Sequence, residues 1–382
     1  MRKKVIFLAN TGFNLFNHRL NGMKFLSRQG WSVIGVANDE ANFEDKFMRE
    51  NIKFIKINFN DKGKNPVADM MLLIKLISIY KRESPDMVHH FASKPVIYGS
   101  MAARLTRIPS IINTMAGLSY ALGKGGFMTF ISKRLFRIAL SGRPEVIFQN
   151  KEDMNFFCSH GLVRKENTHL VPGSGVNTAV IRPNGPRNRN GRLGFIFFSR
   201  MLWTKGVKEF VNAAEIVKKQ CPQAEFIMAG GISSGGGKTH IHPQAVPLQW
   251  LEDVNKRGTV KWLGPLDKDR LMTELDQSDI VVLPSYYREG VPRSLVEAAA
   301  KGKPIITTDM PGCRDIVLDG SNGFLVPPKN AEILAETMQR FIHNPELIDD
   351  MGEKSRKLAV DIFDEEKFLD KTAQVYKKAG AA

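Results

Sequence analysis

Asp279-Ile-Val-Val-Leu-Pro284-Ser-Tyr-Tyr-Arg-Glu289-Gly-Val-Pro-Arg-Ser-Leu-Val-Glu297-Ala-Ala-Ala300 sets two carboxylates, Glu289 and Glu297, eight residues apart across a strand-to-helix turn. The apolar run before the turn reads as a short strand. The run Ser294–Ala300 after it reads as a helix, stopped by Gly302 and Pro304. In open α/β sheets ligands bind at the carboxyl ends of strands, where a helix N-terminus favours phosphate. Carboxylates beside such a cradle suit a ligand that also carries hydroxyls, so the segment points to a nucleotide sugar rather than bare phosphate.

Outward from this turn, both halves of the chain alternate strand-like and helix-like runs, the pattern of parallel sheets covered by helices. Strands are expected at Val5–Ala9, Val33–Ala37, Phe54–Ile57, Met87–Phe91, Ile111–Thr114 and Val146–Gln149. In the second half they are expected at Gly194–Ser199, Glu225–Ala229, Val260–Leu263, Ile280–Leu283 and Pro304–Thr308. Between the halves lies Arg182-Pro-Asn-Gly-Pro-Arg-Asn-Arg-Asn-Gly191, a linker composition. The expected architecture is α/β: two doubly wound Rossmann-like domains facing a central cleft, one over 1–185 and one over 191–360, followed by a helical tail over 361–382. Helix starts are expected near Asn330, Asn344 and Asp364, residues whose side chains cap free N–H groups.

At 382 residues two domains are the natural expectation. Three scattered cysteines argue against a disulfide framework or a zinc site and for a reducing compartment. Met1-Arg-Lys-Lys-Val-Ile-Phe-Leu-Ala9 reads as a first strand rather than a signal peptide, and nowhere do eighteen apolar residues run together. The net charge of +16 is one-sided. Residues 1–190 hold 29 Lys+Arg against 13 Asp+Glu, whereas residues 191–382 hold 26 of each. No acidic residue occurs between Asp86 and Glu145, which favours an anionic partner for the first domain.

In the second domain, Arg200 and Lys205 lie in Phe197-Phe-Ser-Arg-Met-Leu-Trp-Thr-Lys-Gly-Val-Lys-Glu-Phe210, after a strand and before a helix. A guanidinium fork and an ammonium there would neutralise a diphosphate leaving group. The plainer reading is two exposed cations on a loop; the neighbouring carboxylates weigh against it.

With these residues the chain resembles the retaining glycosyltransferases of family four, which have the two-Rossmann GT-B fold. The likeness spans essentially the whole chain. It is carried by Arg200 and Lys205, by Glu289-Gly-Val-Pro-Arg-Ser-Leu-Val-Glu297 with its E-x7-E spacing, and by Gly302-Lys-Pro304 and Gly323-Phe-Leu-Val326. The resemblance implies that Arg200 and Lys205 hold the donor diphosphate, that Glu289 meets the sugar and that Glu297 meets the ribose. Gly290, Val291, Pro292 and, in the first domain, Gly12 complete the expected donor contacts. The phrasing is also similar to bacterial transferases that elongate an undecaprenyl-diphosphate sugar with N-acetylgalactosamine. That implies a UDP-sugar donor, a lipid-linked acceptor, a cytoplasmic location on the inner face of the membrane, and neither cofactor nor metal. One departure stands out. Many family members have a His after the strand that here reads Ile111-Ile-Asn-Thr-Met-Ala-Gly117, where this chain has Thr114, Met115 and Ala116. Backbone groups around Ala116 and Gly117 are expected to do part of its work.

Asn10-Thr-Gly-Phe-Asn-Leu-Phe-Asn-His-Arg19 has a single glycine, Gly12, so it does not form a dinucleotide fingerprint. His18, Arg19, Lys94 and Gly117 are candidate acceptor contacts, against the plainer reading that His18, His89 and His90 are structural and Lys94 solvated. Phe127, Met128, Ile131, Leu135 and Ile138 share one face of an amphipathic helix. Lys133, Arg134 and Arg137 share another, with Phe130 among them, a composition suited either to an anionic membrane surface or to packing on the domain.

Three motifs are set aside. Gly230–Thr239 lacks the spacing and following helix of a P-loop and reads as a flexible insertion. His240 and His242 lack metal-ligand partners. Asp267-Lys-Asp269 reads as a helix cap. Two other functions stay open: a nucleotide-sugar epimerase, whose product needs no acceptor, and a basic nucleic-acid binder. No aromatic platform or groove-reading motif accompanies the charge, so nucleic acid is not expected as a partner.

Overall fold

The computed structural model describes residues 2–58, 66–118, 122, 126–185, 192–232 and 242–380. Within these the chain forms two units, Met1–Ser174 with Phe368–Ala382, and Gly175–Lys367.

The first unit begins β1 (Lys4–Thr11), α1 (Gly12–Arg28), β2 (Ser32–Asn38), α2 (Phe43–Arg49), β3 (Lys53–Lys56), α3 (Pro66–Glu83) and β4 (Met87–Phe91). A π-helical turn over Pro95–Gly99 then runs into α4 (Ser100–Leu105). There follow β5 (Ser110–Met115), α5 (Gly126–Leu140), β6 (Glu145–Phe148), α6 (Lys151–Ser159) and β7 (Thr168–Leu170). The described strands make a parallel sheet in the order β3-β2-β1-β4-β5-β6-β7. Its direction of winding reverses between β1 and β4. The centre of β1, Val5–Ala9, is buried throughout, as expected of a parallel strand covered on both faces. Thr11 caps α1 by accepting from the Asn14 N–H at 3.1 Å.

The second unit contains β8 (Gly194–Phe198), α7 (Val207–Gln220), β9 (Glu225–Ala229), α8 (Leu248–Arg257), β10 (Lys261–Trp262), α9 (Lys268–Gln277) and β11 (Ile280–Leu283). It continues through α10 (Arg293–Ala300), β12 (Ile305–Thr308), β13 (Gly323–Val326), α11 (Ala331–His343) and α12 (Glu346–Ile362). The strand order is β10-β9-β8-β11-β12-β13, again parallel. The reversal here falls between β8 and β11, which puts the loops after these two strands at the switch point where α/β sheets bind ligands. The last helix, α13 (Glu365–Lys378), starts in this unit and ends in the first.

The expected boundaries shift in two places. Residues 175–185, assigned by sequence to the first domain, belong to the second. Arg356 on α12 donates to the carbonyls of Thr178 and Ile181, each at 2.8 Å, and Asp364 accepts from the Thr178 N–H at 3.3 Å. The tail is no separate element. From Phe368 it packs on the first unit, where Val375 and Tyr376 join the core of α1, α2 and β4. The strand β7 was not expected, because three residues with Thr and His among them give no apolar run. Asn330 does cap α11, accepting from the Ile333 N–H at 2.9 Å. Asn344 instead closes that helix, donating to the Arg340 carbonyl at 2.9 Å, and α12 starts two residues later, after Pro345.

Candidate active site

The loops after β8 and β11 are held together by their backbones. Tyr286 N–H donates to the Thr204 carbonyl at 3.0 Å. Gly206 has φ +83°, and a Cβ there would lie 2.2 Å from the Pro284 carbonyl oxygen, so only glycine lets the loops approach this closely. The approach brings Lys205 to Glu289: Nζ and Oε2 are 2.5 Å apart, with both side chains largely buried. Ser285 Oγ donates to the other carboxylate oxygen, Oε1, at 2.9 Å. Glu289 is therefore oriented from two sides at the carboxyl end of the sheet.

The loop after β12 adds a third wall. Gly312 has φ +83°, and a Cβ there would come within 1.5 Å of the Gly290 carbonyl oxygen. Beside it the Cys313 thiol is fully buried, and burial, with Glu289 nearby, pushes its pKa up to about 12. It stays protonated and inert at neutral pH. Val291 and Pro292 are buried at the start of α10. Arg293, the first residue of that helix, donates from Nε to Oε1 of Glu297, one turn further on, at 2.9 Å. Arg200 follows β8 in the same loop as Lys205, with its side chain exposed. The structure thus joins Lys205 and Glu289 directly, sets Gly290 against the neighbouring loop, and ties Glu297 to Arg293.

In the first unit, Gly12 is the first residue of α1. Its N–H and that of Phe13 donate to the Glu40 carboxylate at 3.3 and 3.2 Å. His18 is half-buried, edge-on to Phe13. Arg19, expected to face an acceptor, is buried instead, its guanidinium 4.4 Å from the Phe91 ring centroid. Position 19 lies two turns into α1, on the side that packs against β4. Lys94 is ion-paired with Asp69 at 2.9 Å. Gly117, at φ +103°, follows β5 beside the exposed Ala116.

The two histidines of β4 are structural. His89 lies 2.8 Å from the Tyr376 hydroxyl and 2.7 Å from Thr114 Oγ1. His90 bridges Tyr80 and Asn113, each at 2.9 Å. Burial, reinforced by Arg19 and by His90, holds the His89 pKa well below its ordinary value. Burial lowers His90 to about 4, with the Asn113 hydrogen bond opposing.

Helix α5 turns inward a different face from the one its apolar residues suggest. Thr129, Ser132, Phe136, Ala139 and Leu140 are buried, while Phe127, Phe130 and Ile138 are exposed and Ile131 is half-buried. Lys133 lies over the Phe156 ring at 5.5 Å, Arg134 faces Phe130 at 5.6 Å, and Arg137 donates to the His160 carbonyl at 3.0 Å. Asp267 caps α9 by accepting from the Arg270 N–H at 2.9 Å, as its sequence suggests. Most of the glycine-rich insertion, and His240, lie outside the described residues.

Residues 183–358, which hold the Lys205–Glu289 pair and Glu297, match the family model described as glycosyl transferases group 1. Residues 4–150 match the model described as glycosyl transferase 4-like. The chain belongs to the group 1, family-four glycosyltransferases. The transferase is 27% identical over 361 residues, 90% of each chain, to the N,N'-diacetylbacillosaminyl-diphospho-undecaprenol alpha-1,3-N-acetylgalactosaminyltransferase of Campylobacter jejuni. It is 25% identical to the UDP-Gal:alpha-D-GlcNAc-diphosphoundecaprenol alpha-1,3-galactosyltransferase of Escherichia coli, over 81% of this chain and 80% of that protein. Anabaena HepE, solved in complex with UDP, superposes with a TM-score of 0.77 at 19% identity, covering 98% of the transferase and all of HepE. The fold is GT-B, with one Rossmann-like sheet in each unit.

Two partners of the transferase's acidic pair were not singled out from sequence. Arg293 carries a signal, since it precedes Glu297 by four residues on one helix face. Ser285 carries none, because its bond to Glu289 depends on how the turn closes.

Proposed function

We propose that the protein is a retaining, metal-independent transferase that moves a sugar, best read as N-acetylgalactosamine, from a UDP donor to a polyprenyl-diphosphate-linked saccharide. It would act in cell-surface glycan or glycoprotein glycan assembly, as a peripheral protein on the inner face of the cytoplasmic membrane. The observation that carries this reading is the Lys205–Glu289 pair at the switch point of the second sheet. The lipid-diphosphate acceptors named in the Campylobacter and Escherichia relatives, and the acid-free basic stretch of the first unit, support the acceptor class.

In this reading Lys205 and Arg200 balance the charge of the UDP diphosphate, which removes the need for a divalent ion. As a phosphate oxygen takes up the Lys205 ammonium, Glu289 Oε2 turns to a hydroxyl of the sugar, while Ser285 keeps the carboxylate aimed. Glu297, steadied by Arg293, accepts from the ribose hydroxyls. The bond between the anomeric carbon and the UDP oxygen breaks, and the acceptor oxygen bonds to that carbon on the same face. The acceptor proton passes to the departing diphosphate, so the protein needs no nucleophile on that side.

The test is UDP release across a panel of UDP-sugars, with and without a short polyprenyl-diphosphate saccharide. Acceptor-dependent release that is greatest with UDP-N-acetylgalactosamine, unaffected by EDTA and giving an α-linked product, is expected. Release without acceptor, or none from any UDP-sugar, would overturn the reading.

A further inference from the structure

Helix α3 turns four large apolar side chains to solvent. Val67, Met70, Met71 and Ile74, spaced as one helical stripe, are each between 57% and 67% exposed, whereas Leu72, Leu76, Ile79 and Tyr80 of the same helix are buried in the core. An exposed stripe of this size on a monomer marks a contact surface. It is not isolated. Helix α4 packs against both α3 and α5 in one layer over the sheet, and Arg104 of α4 ties it to α5 by donating to the Ile138 carbonyl at 2.7 Å. The outward side of this layer also carries Leu105 on α4 and Phe127 and Phe130 on α5, all more than half exposed.

Charge indicates what covers the layer. The two acids of α3 are both neutralised. Asp69 is paired with Lys94 and accepts from the Tyr98 hydroxyl at 2.8 Å, and Glu83 is buried against Lys53. Helices α4 and α5 contain no acid at all, while Lys75 and Lys81 on α3 and Arg134 on α5 are exposed. Long cationic side chains around an apolar stripe can keep their heads at a charged boundary while their stems lie along it.

We infer that α3, together with α4 and α5, forms a face that docks on an anionic lipid bilayer, with Val67, Met70, Met71 and Ile74 inserting at the headgroup–acyl boundary. The inference rests on the membrane-side reading above and assigns it to a helix outside the site. The docked face would hold the first unit at the depth of a lipid-borne diphosphate.

The experiment is flotation of the full chain with vesicles of phosphatidylglycerol and phosphatidylethanolamine, or of phosphatidylcholine alone, for the wild type and for V67S/M70S/M71S/I74S. The wild type is expected to float with the anionic vesicles only. The variant should lose roughly tenfold or more in partitioning, yet keep its Tm and its turnover of a short water-soluble acceptor. Equal partitioning of the two proteins would overturn the proposal. So would a wild type that binds no vesicle but forms a concentration-dependent dimer abolished in the variant, since the face would then belong to a second copy. As a check independent of folding, a fluorophore on Met71→Cys should shift to the blue on anionic vesicles, and no shift would count against insertion. Turnover of the soluble acceptor tests the transferase reading separately, so the two can fail independently.

Discussion

Lys205 Nζ lies 2.5 Å from Glu289 Oε2, although the two residues come from loops that follow different strands. Each side chain is largely buried, so neither charge is tolerable without the other or a ligand in its place. This suits a site in which an incoming diphosphate exchanges for a carboxylate without exposing a naked charge.

Glu289→Gln keeps the size of the side chain and removes its charge. Turnover is expected to fall by about 10²-fold or more, the range for a group acting on transition-state charge, with UDP affinity changed far less. Steady-state kinetics with the preferred UDP-sugar will check this, and near-normal kcat would remove Glu289 from the chemistry.

Arg293→Ala should act on binding. It strips Glu297 of its 2.9 Å partner, and a charged hydrogen bond of this kind contributes about 1.5–3 kcal/mol. The KM for the UDP-sugar is expected to rise roughly tenfold or more while kcat changes little. A fall in kcat at unchanged KM would contradict a ribose-side role.

Gly312→Ala tests the close approach of two loop backbones. Its Cβ would meet the Gly290 carbonyl oxygen, and φ +83° is strained for alanine in any case. A loss of roughly 2 kcal/mol or more is expected, seen as a Tm lower by several degrees and a weakened donor site. Gly320→Ala, also at positive φ but with open space around it, should cost much less.

Acidification should destabilise the first unit. In the unfolded chain a histidine titrates near 6.5, whereas His90 in the fold titrates at about 4 and His89 well below 6.5. Between those values the unfolded chain binds more protons, so stability is full above about pH 6.5 and falls as the pH drops through the window. His90 alone contributes at most roughly 3 kcal/mol to that loss, which levels off below pH 4. Thermal melts from pH 7.5 to 4 should show a shallower slope for His90→Gln than for the wild type, and identical slopes would refute the assignment.

The core strands were legible because parallel strands covered on both faces are mostly apolar: Ile280–Leu283 is wholly so, and Met87–Phe91 and Glu225–Ala229, though they carry His89, His90 and Glu225, also lie where local pattern puts them. The capping roles of Asn330 and Asp267 were equally local. The inward face of α5 was not legible, because its small and polar residues Thr129 and Ser132 pack inside while Phe127 and Phe130 do not. Apolarity shows what a side chain gains from burial, not which face of a helix its neighbours cover.

By itself the sequence determined the α/β class, the strands, the turn that presents Glu289 and Glu297, and the lopsided charge, since each depends on residues close together in the chain. Only tertiary structure decided that Lys205 meets Glu289, that Arg19 points inward, and that Tyr376 returns to His89 across 287 positions. The physical reason is the same in each case. A pairing between distant segments is set by backbone approach and packing, to which glycines such as Gly206 and Gly312 contribute by the side chain they lack.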